Sequence, residues 1–169
     1  LEFFVDEEVR ETCGLFAEGK MLQYARWERK FENFQKLEKE KYQILENLLM
    51  KEIDLKSLNP ARFKFPAKLE TRSASEQVLN EIFGKVPNLL GGSADLTPSN
   101  NTKPKTCEVF NAKNRSGRYI HYGIREHSMA SIMNGLAVYG AIIPYGGAFL
   151  VFSDYMRPAI RMAALMKIQ

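Results

Sequence analysis

Two stretches of this chain gather residue types that could do chemistry: GGSADLTPSNNTK, at 91–103, and GRYIHYGIREHSM, at 117–129. Each reads as a strand that runs into a turn, with an acidic residue where a helix begins. Polar groups then collect at the mouth of a sheet, where open α/β sheets bind ligands. Glu126 is the sharpest candidate, in the first turn of its helix just after the strand-ending Gly123. The helix dipole stabilises a carboxylate there by about 0.3–1 kcal/mol, which alone explains many acids at helix starts. In an apolar pocket, such as Phe149 and Phe152 could make, that carboxyl would titrate higher and could exchange a proton near neutral pH.

The remaining candidates each carry two readings. Asp95 follows a Gly-Gly-Ser turn and reads first as a turn or N-cap residue. Ser99, after Pro98, is turn chemistry, or a hydroxyl and backbone N–H for a phosphate. Arg72 is an exposed arginine, or a charged fork that holds a phosphate. Phe149, Phe152 and Tyr155 recur every third residue. On one helical face that spacing is plain core; at a sheet mouth it is a stacking platform for a flat heteroaromatic ring. His121 and His127 have no partner at metal-ligand spacing, and His127 reads as a helix-surface residue.

The elements that must position these residues follow from periodicity and punctuation. Residues 1–58 read as helix, with Trp27, Phe31, Phe34 and Leu37 on one stripe, continued by Leu45, Leu48, Leu49 and Ile53. The run Lys36 to Lys41 reads as a solvated face. Pro60 and Pro66 mark a boundary, giving a helical segment at 1–58 and a second region at 59–169. Ser73 to Glu76 is a capping-box pattern opening a helix through Val78, Leu79, Ile82 and Phe83, with Gly84 as its C-cap. A strand follows at 89–92, a polar surface loop at 100–117, and a strand at 118–122. A helix spans 126–139 with Met129, Ile132, Met133 and Leu136 inward. A strand at 141–145 and a helix at 152–166 complete the order. This alternation predicts an α/β fold: a partial, mostly parallel sheet with flanking helices, preceded by a long helical segment. The next strand is expected just beyond Gln169, and Leu1 in place of Met points to a missing natural N-terminus.

Composition excludes several classes. The 169 residues are 45 % hydrophobic and 26 % charged, as in a soluble globular protein. No apolar run is long enough to span a membrane, and no signal peptide is visible. Cys13 and Cys107 match no metal or redox spacing and read as free thiols in a reducing compartment, the cytoplasm. The net charge of +4 comes from residues 71–169, since residues 1–70 are nearly balanced. That field suits a phosphorylated substrate. No nucleic-acid motif and no basic–aromatic interleaving accompanies it.

Three blocks resemble transketolases: GGSADLTPSN at 91–100, GRYIHYGIREHSMASIMNGLA at 117–137 and PYGGAFLVFSDYMRPAIRMAAL at 144–165. The resemblance is strong over about 70–169. Residues 1–58 more loosely resemble the last helix of a preceding diphosphate-binding domain and its linker. It implies the thiamine-diphosphate-binding fold, with 59–169 as the first part of a pyrimidine-binding domain. It implies transfer of a two-carbon ketol unit from a ketose phosphate to an aldose phosphate in the pentose phosphate pathway, with thiamine diphosphate and Mg2+ or Ca2+. By match to the motifs, Glu126 would hydrogen-bond the aminopyrimidine, Phe149, Phe152 and Tyr155 would surround that ring, and Asp95 would lie near the thiazolium. Arg72 and Ser99 would bind the substrate phosphate. The metal ligands, further substrate-binding residues and the second subunit of a homodimer would come from outside this chain, so it would be inactive alone. A dihydroxyacetone-synthase-like transfer, or a non-catalytic split subunit that acts by pairing with another chain, are the alternatives.

Overall fold

The computed structural model describes residues 3–50 and 63–168. Two compact units emerge, residues 1–46 and 47–169. The expected boundary near residue 58, Pro60 and Ile53 lie outside the described residues.

The first unit contains α1, Glu7–Leu37, and the start of α2, Lys39–Leu49. Asp6 caps α1 by accepting from the Glu8 N–H at 3.0 Å. The helix breaks at Glu38 without a Gly or Pro, so the charged run at 36–41 spans the break and is exposed throughout. Tyr42 turns back edge-on against Phe31 and Phe34, with ring centroids 5.8 and 6.3 Å away. The aromatic stripe is real along α1, since Trp27 stacks on Phe31 at 5.1 Å. It stops short of Leu37, which is exposed.

The second unit is built on three parallel strands in the order β2-β1-β3: β1 is Leu89–Ser93, β2 Tyr119–His121 and β3 Ile143–Gly147. In this register Ser93 is level with both His121 and Gly147, so all three strands end together. Helix α3, Thr71–Phe83, packs on one face, where Leu79, Ile82 and Phe83 meet Leu89, Tyr119 and Tyr145. Helices α5, Glu126–Tyr139, and α6, Ser153–Met166, cover the other through Met129, Met133 and Met156. The short α4, Thr97–Asn100, follows β1. The central strand is narrow by necessity: a Cβ at Gly92 would collide with the Ile120 carbonyl of β2, and one at Gly91 with Tyr145 of β3.

Several sequence expectations shift. The capping box does not form, because Ser73 already donates its N–H to the Glu70 carbonyl at 3.0 Å, inside a helix that begins at Thr71. Strand β3 starts two residues late, since Gly140 and Ala141 both take positive φ and prolong the turn. Ile132 is exposed rather than inward. The segment at 100–117 is no simple surface loop: Asn100, Pro104 and Cys107 are buried, and Val109 bridges to Tyr119. Arg118, one of the basic residues of this half, is spent on structure. Its guanidinium lies 3.7 Å over the Phe83 ring and donates to the Phe83 and Val86 carbonyls at the end of α3.

Tyr122 sits in the core with its hydroxyl buried and without a partner among the described residues. Burial, and then Tyr119, push this phenol's pKa up from 10.0 to about 12. Tyr145 is shifted the same way, first by burial. A raised folded pKa means that the unfolded chain releases these protons first. Stability from this source is therefore complete below pH 10 and is lost as pH rises toward about 12. Tyr122→Phe should flatten that alkaline decline. Near neutral pH it should be neutral or stabilising by about 1 kcal/mol, because it deletes an unpaired hydroxyl. Urea denaturation near neutrality and in the alkaline window reads both effects.

Candidate functional site

Two clefts open where the three strands end. The first, of about 500 Å³, is lined by Ala94, Asp95, Leu96, Ile124, Glu126, Phe152 and Tyr155. The second, of about 540 Å³, is lined among others by Glu70, Arg72, Asn100, Thr102, Gly147 and Phe149.

Glu126 reaches the first cleft through a turn that the sequence builds locally. Gly123 takes φ +71, and Arg125 donates its N–H to the Gly123 carbonyl and its guanidinium to the Tyr122 carbonyl at 3.1 Å. Helix α5 then begins with Glu126 itself. The residue is 8 % exposed, yet no group among the described residues donates to its carboxylate. The carboxylate opens onto the cleft, where it can accept a hydrogen bond from a group that enters. Asp95 enters the same cleft from the other side, exposed and at φ +60, a left-handed backbone that Asp tolerates better than most residues.

The aromatic trio is not core. Phe149, Phe152 and Tyr155 form a ladder, with neighbouring centroids 6.1 Å apart at both steps and planes inclined by 13° and 27°. A 3₁₀ turn at Leu150–Phe152 precedes α6, and three residues per turn brings side chains at i and i+3 into line. Phe152 and Tyr155 face Glu126, whereas Phe149 lines the second cleft. The pocket expected from Phe149 and Phe152 is therefore walled instead by Phe152 and Tyr155.

In the second cleft Arg72 donates through Nε to Glu70 at 2.8 Å and through Nη1 to the Ser99 carbonyl at 3.1 Å. The hydrogen bond from Arg72, and its charge, hold the Glu70 carboxyl below its usual range. Nη2 has no partner among the described residues. The Ser99 N–H is not available to a phosphate, because it donates to Leu96 within the turn at 2.8 Å. Only its hydroxyl remains as a donor. His121 packs edge-on to Tyr119 at 5.2 Å, and His127 is exposed. Among the described residues no group of His, Cys, Asp or Glu could hold a metal ion.

Sequence reasoning missed the polar wall between the clefts. The fully buried Ser93 hydroxyl accepts from the Leu96 N–H at 3.1 Å and from Asn100 Nδ2 at 2.8 Å, and donates to the Gly147 carbonyl at 3.1 Å. Thr102, Tyr119 and Thr97 extend this chain at 2.7–2.9 Å. Small polar residues at a turn carry no outward signal that they will be buried.

Comparison with known proteins decides the family. Residues 67–169 match the family described as transketolase, pyrimidine binding domain. The chain belongs to the transketolase family. It is 44 % identical to a transketolase of Aquifex aeolicus over 99 % of its own length and 24 % of the relative's. It is 52 % identical to transketolase 1 of Vibrio vulnificus over 62 % of its length and 16 % of the relative's. A transketolase from Pichia stipitis, solved in complex with sedoheptulose-7-phosphate, superposes with a TM-score of 0.85 at 36 % identity, covering 99 % of this chain and 26 % of that one. Transketolase from Leishmania mexicana gives 0.80 at 34 %, covering 98 % and 25 %. The chain thus spans about a quarter of the length of the transketolases it matches over nearly all its residues.

Removing the Ser93 hydroxyl would strand the Asn100 amide in a buried wall. Ser93→Ala should cost about 2 kcal/mol, the penalty of buried groups left unpaired. Chemical denaturation measures it, and a loss below about 0.5 kcal/mol would mean the wall is not held this way.

Proposed function

We propose that this chain is the pyrimidine-binding part of a transketolase, which moves a two-carbon ketol unit from a ketose phosphate to an aldose phosphate in the pentose phosphate pathway. One observation carries the reading: Glu126, a mostly buried residue with no donor to its carboxylate among the described residues, faces a cleft walled by the stacked rings of Phe152 and Tyr155. That arrangement fits the aminopyrimidine of thiamine diphosphate, a flat heteroaromatic ring whose edge exchanges hydrogen bonds. Relatives named as transketolases favour ketol transfer between sugar phosphates over a dihydroxyacetone-synthase-like ketol transfer.

The residues divide the work by position. Glu126 takes a hydrogen bond from the ring edge, and its place at the start of α5 favours the negative charge this needs. Phe152 and Tyr155 hold the ring face and exclude water, while Phe149 continues the ladder toward the second cleft. Asp95 supplies a carboxylate near the cationic end of the cofactor. Arg72 turns its unpaired Nη2 to the substrate phosphate, and the Ser99 hydroxyl supports it. When bound, thiamine diphosphate supplies the electron sink for breaking and forming the carbon–carbon bond.

Residues outside this chain, including those of a second subunit of a homodimer, are assigned the diphosphate, the Mg2+ or Ca2+ and the rest of the substrate. Residues 1–58 serve as the helical tail of the preceding domain and its linker, and 59–169 as the start of the pyrimidine domain. Two free cysteines suit the cytoplasm. Among the described residues no helix is long and apolar enough to cross a membrane.

In the full-length enzyme, Glu126→Ala should lower kcat by about a hundredfold or more, the usual range for losing a positioned proton-handling group. Near-normal turnover would remove Glu126 from the reaction. Arg72→Ala should raise KM for phosphorylated sugars well above its effect on unphosphorylated ones. Equal effects on both would take Arg72 off the phosphate.

A further inference from the structure

The polar wall between the two clefts has a fixed sense. Ser93 has one proton, and it lies between Oγ and the Gly147 carbonyl, which can only accept. Asn100 must therefore present its NH2 to Ser93, as the 2.8 Å contact from Nδ2 has it, and its carbonyl to Thr102. Thr102 spends its single proton on Asn100 Oδ1 at 2.7 Å, so at the 2.9 Å contact Tyr119 is the donor. Tyr119 then accepts from Thr97 at 2.7 Å. Each group donates to the next, Thr97 to Tyr119 to Thr102 to Asn100 to Ser93 to Gly147. Such a chain strengthens each of its links, and one wrong donor breaks it.

Through Ser93 it holds the turn of the first cleft, while Asn100, Thr102 and Gly147 line the second. Ser93 accepts the Leu96 N–H that closes the turn bearing Asp95, and Gly147 is the last residue of β3 before the ring ladder. Asn100 and Thr102 stand in the wall of the Arg72 cleft. We propose that Asn100 and Thr102 are positioning residues: the Asn100 amide, oriented by Thr102, locks Ser93 and so sets the Asp95 turn and the ring ladder at the geometry that binds thiamine diphosphate. This rests on the reading of the Glu126 cleft as the site of the cofactor's ring.

The sense of the chain gives the test. In Asn100→Asp an ionised carboxylate can only accept, so it faces Ser93 without a proton to give. A protonated carboxyl restores the donor toward Ser93 and keeps the acceptor toward Thr102. Burial raises such a carboxyl's pKa toward neutrality. The other titratable groups here are Tyr119, Tyr145, whose hydroxyl donates to the Thr102 carbonyl at 3.1 Å, and the Glu70–Arg72 pair across the cleft. His121 packs edge-on against Tyr119 at 5.2 Å, and wild type, which carries all of these groups, serves as the reference at each pH.

The measurement is the Kd of thiamine diphosphate, with Mg2+ present, for the full-length protein by fluorescence titration. Asn100→Asp should bind about tenfold more weakly than wild type at about pH 8 and return to within about threefold at about pH 6. Thr102→Val, which frees the amide to turn, should weaken binding at both pH values, while Thr102→Ser stays near wild type. A ratio for Asn100→Asp that is the same at both pH values overturns the proposal, as does Thr102→Val binding like wild type. If Asn100→Asp fails to fold, as thermal melting reports, the two Thr102 variants decide. Wild type that binds no thiamine diphosphate defeats the functional reading itself; wild type that binds, with variants showing no such pattern, defeats only this inference.

Discussion

One buried hydroxyl holds the site together. Ser93 ends the central strand, level with the ends of both neighbours, and its oxygen meets the Leu96 N–H, the Asn100 amide and the Gly147 carbonyl. The glycines before it let β2 and β3 close in on β1, where any Cβ would collide with a neighbouring strand. Parallel strands that end together present their turns on one side, and that side carries both clefts. The site is thus a consequence of close strand approach, fixed at the rim by one three-way hydrogen-bonding atom.

Onto that rim the fold places an unsettled charge. Glu126 brings a carboxylate from a mostly buried residue to the mouth of the cleft, where the dipole of α5 favours its charge. The stacked rings opposite are open to solvent as well, with Tyr155 64 % exposed and Phe149 42 %. An acid without a donor among the described residues and an exposed aromatic ladder each leave a surface that a partner could meet. A flat ring with a hydrogen-bonding edge meets both at once.

Much of this was legible in the sequence. Helix and strand alternation gave the parallel sheet and its flanking helices, and Gly123 followed by Glu126 marked the turn that carries the key acid. What stayed hidden depends on contacts between distant residues. The triplet spacing of Phe149, Phe152 and Tyr155 fits a buried helix face equally well, and the ladder needs a 3₁₀ turn that leads directly into α6. Ser73 and Glu76 have capping-box spacing, but the helix starts earlier, so the pattern falls inside it. Arg118 looked like part of a basic field until its carbonyl partners, some thirty residues earlier in the chain, were in place. Ser93 looked like a turn residue and Asn100 and Thr102 like parts of a surface loop, because the burial of Ser93 and Asn100 depends on contacts with distant strands.

The central claim is that Glu126 and the rings of Phe152 and Tyr155 bind the pyrimidine of thiamine diphosphate. A crystal structure of the full-length protein with that cofactor tests it most directly. The account predicts a ring nitrogen at about 3 Å from the Glu126 carboxylate, with Phe152 and Tyr155 against the ring. A cofactor ring seated elsewhere, with Glu126 taken up by a donor of the protein itself, would contradict it.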